Sequence, residues 1–431
     1  MRAFSLILHR WLGLITALFL FVSGISGAVI SWDHELDDWL NPHLTAAPGI
    51  GPAMPALDLA RQVEARYPEV RVTSLPLAVE SGESLSMFVQ PRLNQATGRL
   101  YEPGFNQVFL DPVTGDELGK RQWGAVWPIS SENFVSFLYK LHYSLHIPEM
   151  FGTDRWGIWL LGIIAIAWTL DCFVAICLTL PARRRGNSAE EALADDGAPA
   201  GRTYWRRWRP AWLIRWRAGS YKLNYDLHRA FGLWTWILLF ILAFTAFSLN
   251  LYREVFLPMM TSVSKVTPTP FDQRQRTPRH EPIDPRVDLN HVLSLATQEA
   301  STRNWPEPAG RVFYTRNFGI YGVDFYFPDA DHGASGVGHK RLYYDGQDGR
   351  YLGERIPWRG TAADIFVQAQ FPLHSGRILG LPGRILISLM GLVVAMLALT
   401  GVYIWWKKRK ARLASAGRRR EKERQAGLSS T

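Results

Sequence analysis

Two short stretches decide the reading of this chain: His9-Arg10-Trp11-Leu12-Gly13-Leu14 and His228-Arg229-Ala230-Phe231-Gly232-Leu233. Each is a His-Arg pair followed by a Gly-Leu entry into a long apolar run, so one phrase opens two segments. A second phrase recurs as Leu141-His142 and Leu373-His374, ahead of apolar stretches that begin near Trp156 and near Ile378. Four apolar windows result, at 12–32, 156–180, 231–252 and 378–406. Each meets the length of about 20 apolar residues needed to cross a hydrocarbon core of about 30 Å. The chain therefore reads as an α-helical integral membrane protein with four transmembrane helices in two tandem-repeat halves. A histidine stands at the mouth of each helix.

Basic residues set the expected orientation. Arg2 and Arg10 precede the first span, a Lys/Arg-rich stretch lies between 183 and 222, and another runs from Lys407 to Arg424. These segments belong on the cytoplasmic side, which places both termini there. The net charge of +10 then reflects topology and contact with anionic lipid, not nucleic-acid binding. The expected order is helix 1 (1–32), an outer module (33–155), helix 2 (156–182), a cytoplasmic loop (183–227), helix 3 (228–252), a second outer module (253–377), helix 4 (378–406) and a basic cytoplasmic tail (407–431). The first span is long and lacks a small-x-small cleavage site before Trp32, so it is read as retained. In the loop, 186–201 has the composition of disorder. Tyr204 to Lys222 interleaves aromatic and basic residues, as a segment lying in the headgroup layer does. The tail is expected to be a disordered charged extension.

The two outer modules repeat one order of elements. Leu57 to Tyr67 has helical spacing, and strands follow at Val70 to Leu77, Leu85 to Gln90 and Gln107 to Asp111, with a tight turn at Asp111-Pro112-Val113-Thr114-Gly115. In the second module the helix is Leu289 to Thr302, with strands at Arg311 to Thr315, Gly322 to Phe327 and from Leu342, and a turn at Asp345. Each module reads as a helix laid on its own small antiparallel sheet.

With this topology, His9 and His228 enter their spans from the cytoplasm, and His142 and His374 precede theirs on the outer side. Two imidazoles on facing helices supply neutral nitrogen donors on opposite sides of an iron, which is what a b-type haem in a dry bundle core requires. No Cys-x-x-Cys-His is present, so covalent c-type attachment is excluded. Gly13, Ser23, Gly24, Ser26, Gly27 and Ala28 leave room for a flat ligand or a close helix, and Arg10 and Arg229 are placed to pair with haem propionates. His146 lies four residues after His142, on the same face of a continuing helix, so either suits the outer site; alignment with His374 favours His142. Asp171 is the carboxylate deep inside a span, where such groups face the bundle interior. Proton handling and a packing hydrogen bond to a neighbouring Thr or Trp both account for it. Cys172 and Cys177 fall on different helix faces and suit neither a disulfide nor a zinc site. His34, His43, His280, His291, His332 and His339 lie in the outer regions without metal-ligand spacing.

The repeated His-Arg entries, the stretch Asp226-Leu227-His228-Arg229-x-x-Gly232-Leu233-Trp234, the Leu-His pairs and the Asp-led turns together resemble the PepSY-associated transmembrane family. These are bacterial inner-membrane proteins that include siderophore reductases and other iron-uptake-associated proteins. The resemblance covers the chain apart from 186–201 and the tail. It implies that each outer module is a small α+β PepSY-like periplasmic module, and that His9, His228, His142 and His374 ligate the iron of two b haems. It also implies an activity: electrons pass from a cytoplasmic or quinol donor across the inner membrane to a periplasmic ferric siderophore or similar ferric chelate, releasing Fe(II) for uptake. Arg92, Arg99, Arg121, Arg355 and Arg359 are then candidates to attract an anionic chelate, and Trp159, Trp168, Trp234 and Trp236 are aromatic residues of the bundle. The alternative from another class is a haem-free membrane scaffold whose PepSY-like modules bind or inhibit a periplasmic partner such as a peptidase. A transporter would need broken helices and midplane polar clusters.

Overall fold

The chain opens with α1 (Arg2–Ile30), then the short α2 (Asp33–Leu40) and α3 (Pro42–Thr45), and α4 (Ala56–Arg66) leads into β1 (Val70–Pro76) and β2 (Leu85–Pro91). A small hairpin, β3 (Leu93–Asn94) and β4 (Arg99–Leu100), precedes β5 (Gln107–Leu110), β6 (Glu117–Arg121), α5 (Ser131–Ser144) and α6 (Trp156–Thr179). Next come α7 (Tyr204–Trp208), α8 (Ser220–Trp234), α9 (Trp236–Asn250), α10 (Leu257–Val263) and α11 (Leu289–Thr302). The strands β7 (Ala309–Thr315), β8 (Ile320–Phe325), β9 (Lys340–Asp345) and β10 (Tyr351–Arg355) follow, then α12 (Ala362–Ser375) and α13 (Leu381–Leu428). This computed structural model describes residues 2–181, 204–328 and 333–428; the 186–201 stretch and His332 lie outside them. Two compact units divide the chain: Met1–Ala28, Leu160–Phe247 and Ser388–Thr431 form one, and Val29–Trp159 and Ser248–Ile387 the other.

Among the described residues, α1, α6 and the Leu381–Arg419 part of α13 are long and apolar enough to cross a membrane. The third expected span is not a straight helix. α8 and α9 are bent by 73° at Thr235 and count as one span only if the broken pair is taken together. The first half of this pair is also unlike a membrane span in composition. Its first two turns, Ser220-Tyr221-Lys222-Leu223-Asn224-Tyr225-Asp226, are too polar for a lipid-facing helix, and Asp226 is fully buried against the guanidinium groups of Arg215 (2.7 Å) and Arg229 (3.0 Å). At the bend the Thr235 hydroxyl donates to the Phe231 carbonyl at 2.8 Å.

Small residues let α1 and α13 approach closely. A Cβ on Gly24 would lie 2.7 Å from the Gly391 carbonyl oxygen and 3.2 Å from the Ala395 nitrogen. Gly24→Leu should therefore cost about 1–3 kcal/mol through overpacking. Thermal unfolding of the purified variant in detergent checks this, and an unchanged midpoint would refute the close crossing.

Among the described residues the tail is helical, where a disordered extension was expected. α13 continues to Leu428, because Lys, Arg, Ala and Glu are good helix formers and no proline follows Pro382.

In the second unit, the sheet order is β10-β9-β8-β7-β1-β2-β5-β6, all antiparallel. Strand and helix positions fall close to those read from sequence, but two separate sheets were expected and one is found. β1 and β7 pair through Ser74 with Phe313, Leu75 with Val312 and Pro76 with Arg311. Each would otherwise present an open edge, and joining them satisfies both rows of backbone groups. The core is shared as well: Leu59, Ala60 and Val63 of α4 and Val292, Ala296 and Ala300 of α11 belong to one buried cluster with Val70, Val89, Val312, Tyr321 and Leu342.

Candidate functional site

The four histidines come together as two pairs, one in each unit. The ring centroids of His9 on α1 and His228 on α8 are 6.1 Å apart with an interplanar angle of 54°. Those of His142 on α5 and His374 on α12 are 6.1 Å apart at 52°. Two pairs drawn from different elements thus share one geometry. Among the described residues no group of three or more His, Cys, Asp or Glu side chains gathers at a metal-ion site, so each pair offers two donors only.

In the first pair, each Nδ1 is already engaged by protein. His9 Nδ1 lies 2.9 Å from both carboxylate oxygens of Asp171, which is buried on α6. A carboxylate accepts, so the proton sits on Nδ1 and the Nε2 lone pair is left for a ligand. His228 Nδ1 is 3.1 Å from the Leu397 carbonyl and 3.0 Å from Thr400 Oγ1. A carbonyl also accepts only, so His228 carries the same tautomer. Asp171 is therefore the orienting partner of His9, a third use beside the two that sequence reading weighed. Its signal was there in principle: an intramembrane carboxylate needs an internal donor, but the spacing of 162 residues hides which one.

Open space flanks this pair. A Cβ on Gly13, one turn after His9, would meet nothing within 4 Å, and one on Gly232, one turn after His228, would touch only Leu397 Cδ2 at 4.0 Å. Residues four apart share a helix face, so neither glycine puts a side chain beside its ring. Gly401 lets His228 lie against α13, since a Cβ there would sit 3.2 Å from its Cε1. Arg10 and Arg229, next in sequence to these histidines, each have a buried Nε with no hydrogen-bond partner among the described residues. Arg229 otherwise serves Asp226 at 3.0 Å and the Pro210 carbonyl. Arg10 lies over Trp11, 5.4 Å from the ring centre.

The second pair is held by how its helices end. α5 stops at Ser144 with Leu145 and His146 both left-handed, at φ 54° and 53°. His146 is therefore not on the helical face of His142, as a continuing helix would have placed it. Its Nε2–H donates to the Phe137 carbonyl at 2.8 Å and its ring stacks on Phe137, with centroids 4.6 Å apart. Burial depresses its pKa. His142, not His146, faces His374. On the other side, α12 ends at Gly376, at φ 75°, and the backbone of Gly383 closes on it so tightly that a Cβ on either glycine would collide with the other.

α12 is fixed at its start by a capping box in which Thr361 and Asp364 bond each other's backbone nitrogens, at 2.8 and 3.1 Å. Thr267 adds its backbone N–H at 2.7 Å and its hydroxyl at 2.8 Å. Burial would raise the Asp364 carboxyl, but these bonds hold it below the ordinary carboxylate range. A depressed carboxyl contributes stability that is complete above the unfolded value of about 4 and is lost as pH falls through the lower folded value. Asp364→Ala should cost about 1–2 kcal/mol at neutral pH, with the difference from the parent shrinking below about pH 4. Denaturant unfolding at both pH values measures this; an equal loss at both would show that the carboxylate charge is not what matters.

The remaining candidates separate. Arg121 is buried in an ion pair with Asp37 at 2.7 Å and also serves Gln107 and the Glu132 carbonyl, so it is a structural cation and not available to a chelate. Arg92 is paired with Glu64 and Arg355 donates to the Val337 carbonyl, whereas Arg99 and Arg359 are exposed. Trp159 Nε1 donates to Glu254, Trp234 Nε1 to the Trp212 carbonyl and Trp236 Nε1 to the Cys172 carbonyl, which makes all three packing anchors. Of the outer histidines, His43 pairs with Glu132 at 3.0 Å and His339 stacks on Tyr326 at 4.1 Å.

A comparison with curated proteins finds no match. The family described as PepSY-associated TM region matches residues 6–408. Nearly the whole chain, including all four paired histidines, lies within that match, and the protein belongs to the PepSY-associated TM family.

Proposed function

We propose that this protein is a di-haem b oxidoreductase of the bacterial inner membrane that passes electrons to a periplasmic ferric siderophore or similar ferric chelate. The observation that carries the reading is the repeated histidine geometry, 6.1 Å in both pairs. With nitrogen–metal bonds of about 2 Å, two imidazoles on opposite sides of one metal have ring centres roughly 6 Å apart. Two donors with no third protein ligand among the described residues suit a metal whose other positions come from a macrocycle, and the absence of a side chain at Gly13 and Gly232 suits a flat one. His9 and His228 would hold one haem and His142 and His374 the other. When bound, haem supplies one-electron transfer at a potential set by its axial ligands and their hydrogen bonds.

The chain's own residues do the rest. Asp171 and the Leu397 carbonyl fix the ring tautomers and orientations of His9 and His228, so that neither ligand has to reorganise. Arg10 offers its unpartnered Nε to a propionate, and Arg229 has less to offer because Asp226 already occupies it. The four-span, two-repeat arrangement belongs to the same proposal, with α8 and α9 counted as one broken span and the termini cytoplasmic. Its support is the matched order of elements on either side of the β1–β7 junction and the matched histidine pairs. Exposed Arg99 and Arg359 are the cations left to attract an anionic chelate. Reduction then releases iron, because Fe(II) is held less tightly by hard oxygen donors.

The test is a dithionite-reduced minus air-oxidised visible spectrum of the detergent-purified protein, with haem counted per chain. Sharp bands of low-spin bis-histidine haem, at about two haems per chain, are expected, with reoxidation on adding a ferric hydroxamate. A featureless spectrum from protein made with ample haem would overturn the proposal and leave the haem-free scaffold for a periplasmic partner.

A further inference from the structure

Within the first unit, α1, α8 and α13 border a groove of about 620 Å³ that is lined by none of the four histidines. Phe21, Leu227, Met396 and Leu399 make most of its wall apolar, and its polar groups are Asn224, Thr400 and Tyr403. It is an open groove on an apolar surface, since Leu392 and Leu399 on its rim are 52% and 58% exposed. Tyr403 marks one end. It stands two residues before Trp405-Trp406-Lys407, the aromatic-basic signature of a membrane interface, and its hydroxyl lies 3.5 Å from Ser220 Oγ. Thr400 connects the groove to the first histidine pair, with Oγ1 3.0 Å from His228 Nδ1.

We infer that this groove is the electron-donor site and that its occupant is a membrane quinol; the inference rests on the function proposed above and names its donor. The lining matches such a molecule part by part. The Tyr403 hydroxyl and the Asn224 amide oxygen near the interface suit a phenolic head, Thr400 Oγ1 being engaged by the Met396 carbonyl and His228 Nδ1, and the apolar wall suits an isoprenoid tail. The volume lies within the range of about 300–1,000 Å³ usual for small-molecule sites. A lipid-facing groove receives a lipid-soluble donor, whereas a water-soluble reductant has no apolar tail to place there. The reaction balances as one quinol giving quinone, two protons and two electrons. The electrons reduce two ferric chelates, one each, and the protons leave to water at the Tyr403 end.

The test uses a short-chain benzoquinone and its quinol with the full-length protein in detergent. Equilibrium dialysis measures quinone binding, and the visible spectrum measures haem reduction by the quinol. Leu399→Trp fills the groove and should weaken quinone binding at least about tenfold, with quinol-driven reduction slowed to match. Tyr403→Phe should give a smaller loss of binding. Ile163→Trp, on an exposed part of α6 outside the groove, should change neither. Equal quinone binding by the parent and Leu399→Trp overturns the inference, as does a tightly held phospholipid in native mass spectrometry that the quinone fails to displace. The two proposals fail separately: haem-free protein that still binds quinone through Leu399 sinks the oxidoreductase, whereas haem-loaded protein that binds no quinone sinks the donor site.

Discussion

Replacing His9 by alanine is expected to remove the low-spin signal of one haem and leave the other, so that haem per chain falls by about half. The reason is the separation of the two pairs by unit. His9 meets His228 at 6.1 Å and His142 meets His374 at 6.1 Å, so losing one donor unmakes one site only. His228→Ala should reproduce the same loss and His142→Ala the complementary one. His146→Ala should leave both, because that ring is turned back onto the Phe137 carbonyl. Haem assay with electron paramagnetic resonance on each purified variant reads this directly. Two haems retained in both His9→Ala and His228→Ala would refute the pairing.

Asp171→Asn carries the second large effect. The variant keeps the size of the side chain and an oxygen that accepts from His9 Nδ1, but removes the negative charge 2.9 Å from the ring. A carboxylate partner makes an imidazole a stronger donor and favours the higher oxidation state of the metal it binds. The expected results are about 10–100-fold weaker haem retention at that site and a more positive midpoint potential there. Asp171→Glu should restore part of both. Haem titration into apoprotein and redox potentiometry of the purified variant give the two readouts. If Asp171 only packs α6 against α1, retention falls but the potential stays where it is.

The elements of this protein were legible because their signals are local. A run of apolar residues long enough to span a bilayer is recognisable without knowing its neighbours, and α1, α6 and α13 lie where those runs are. Strands with alternating burial and Asp-led turns are equally local, and β1, β2, β5 and β7 fall close to their expected residues. The misreadings came from signals that are not local. The polar start of α8 belongs to a tertiary ion pair, Asp226 with Arg215, a residue outside the apolar window, and the bend at Thr235 has no sequence signal such as proline. His146 left the face of His142 because α5 ends in two left-handed residues, which no periodicity announces.

The sequence by itself determined that the chain is a multi-span membrane protein and singled out His9, His142, His228 and His374 through two recurring phrases. Both follow from spacing along one strand of text. Only the tertiary structure decided which histidine faces which, that Asp171 holds His9, and that the two halves share a single sheet through β1 and β7. The physical reason is common to all three. A hydrogen bond, a ring-to-ring approach and a strand pairing each join residues far apart in the chain, and the free energy that selects them depends on what else is buried around them.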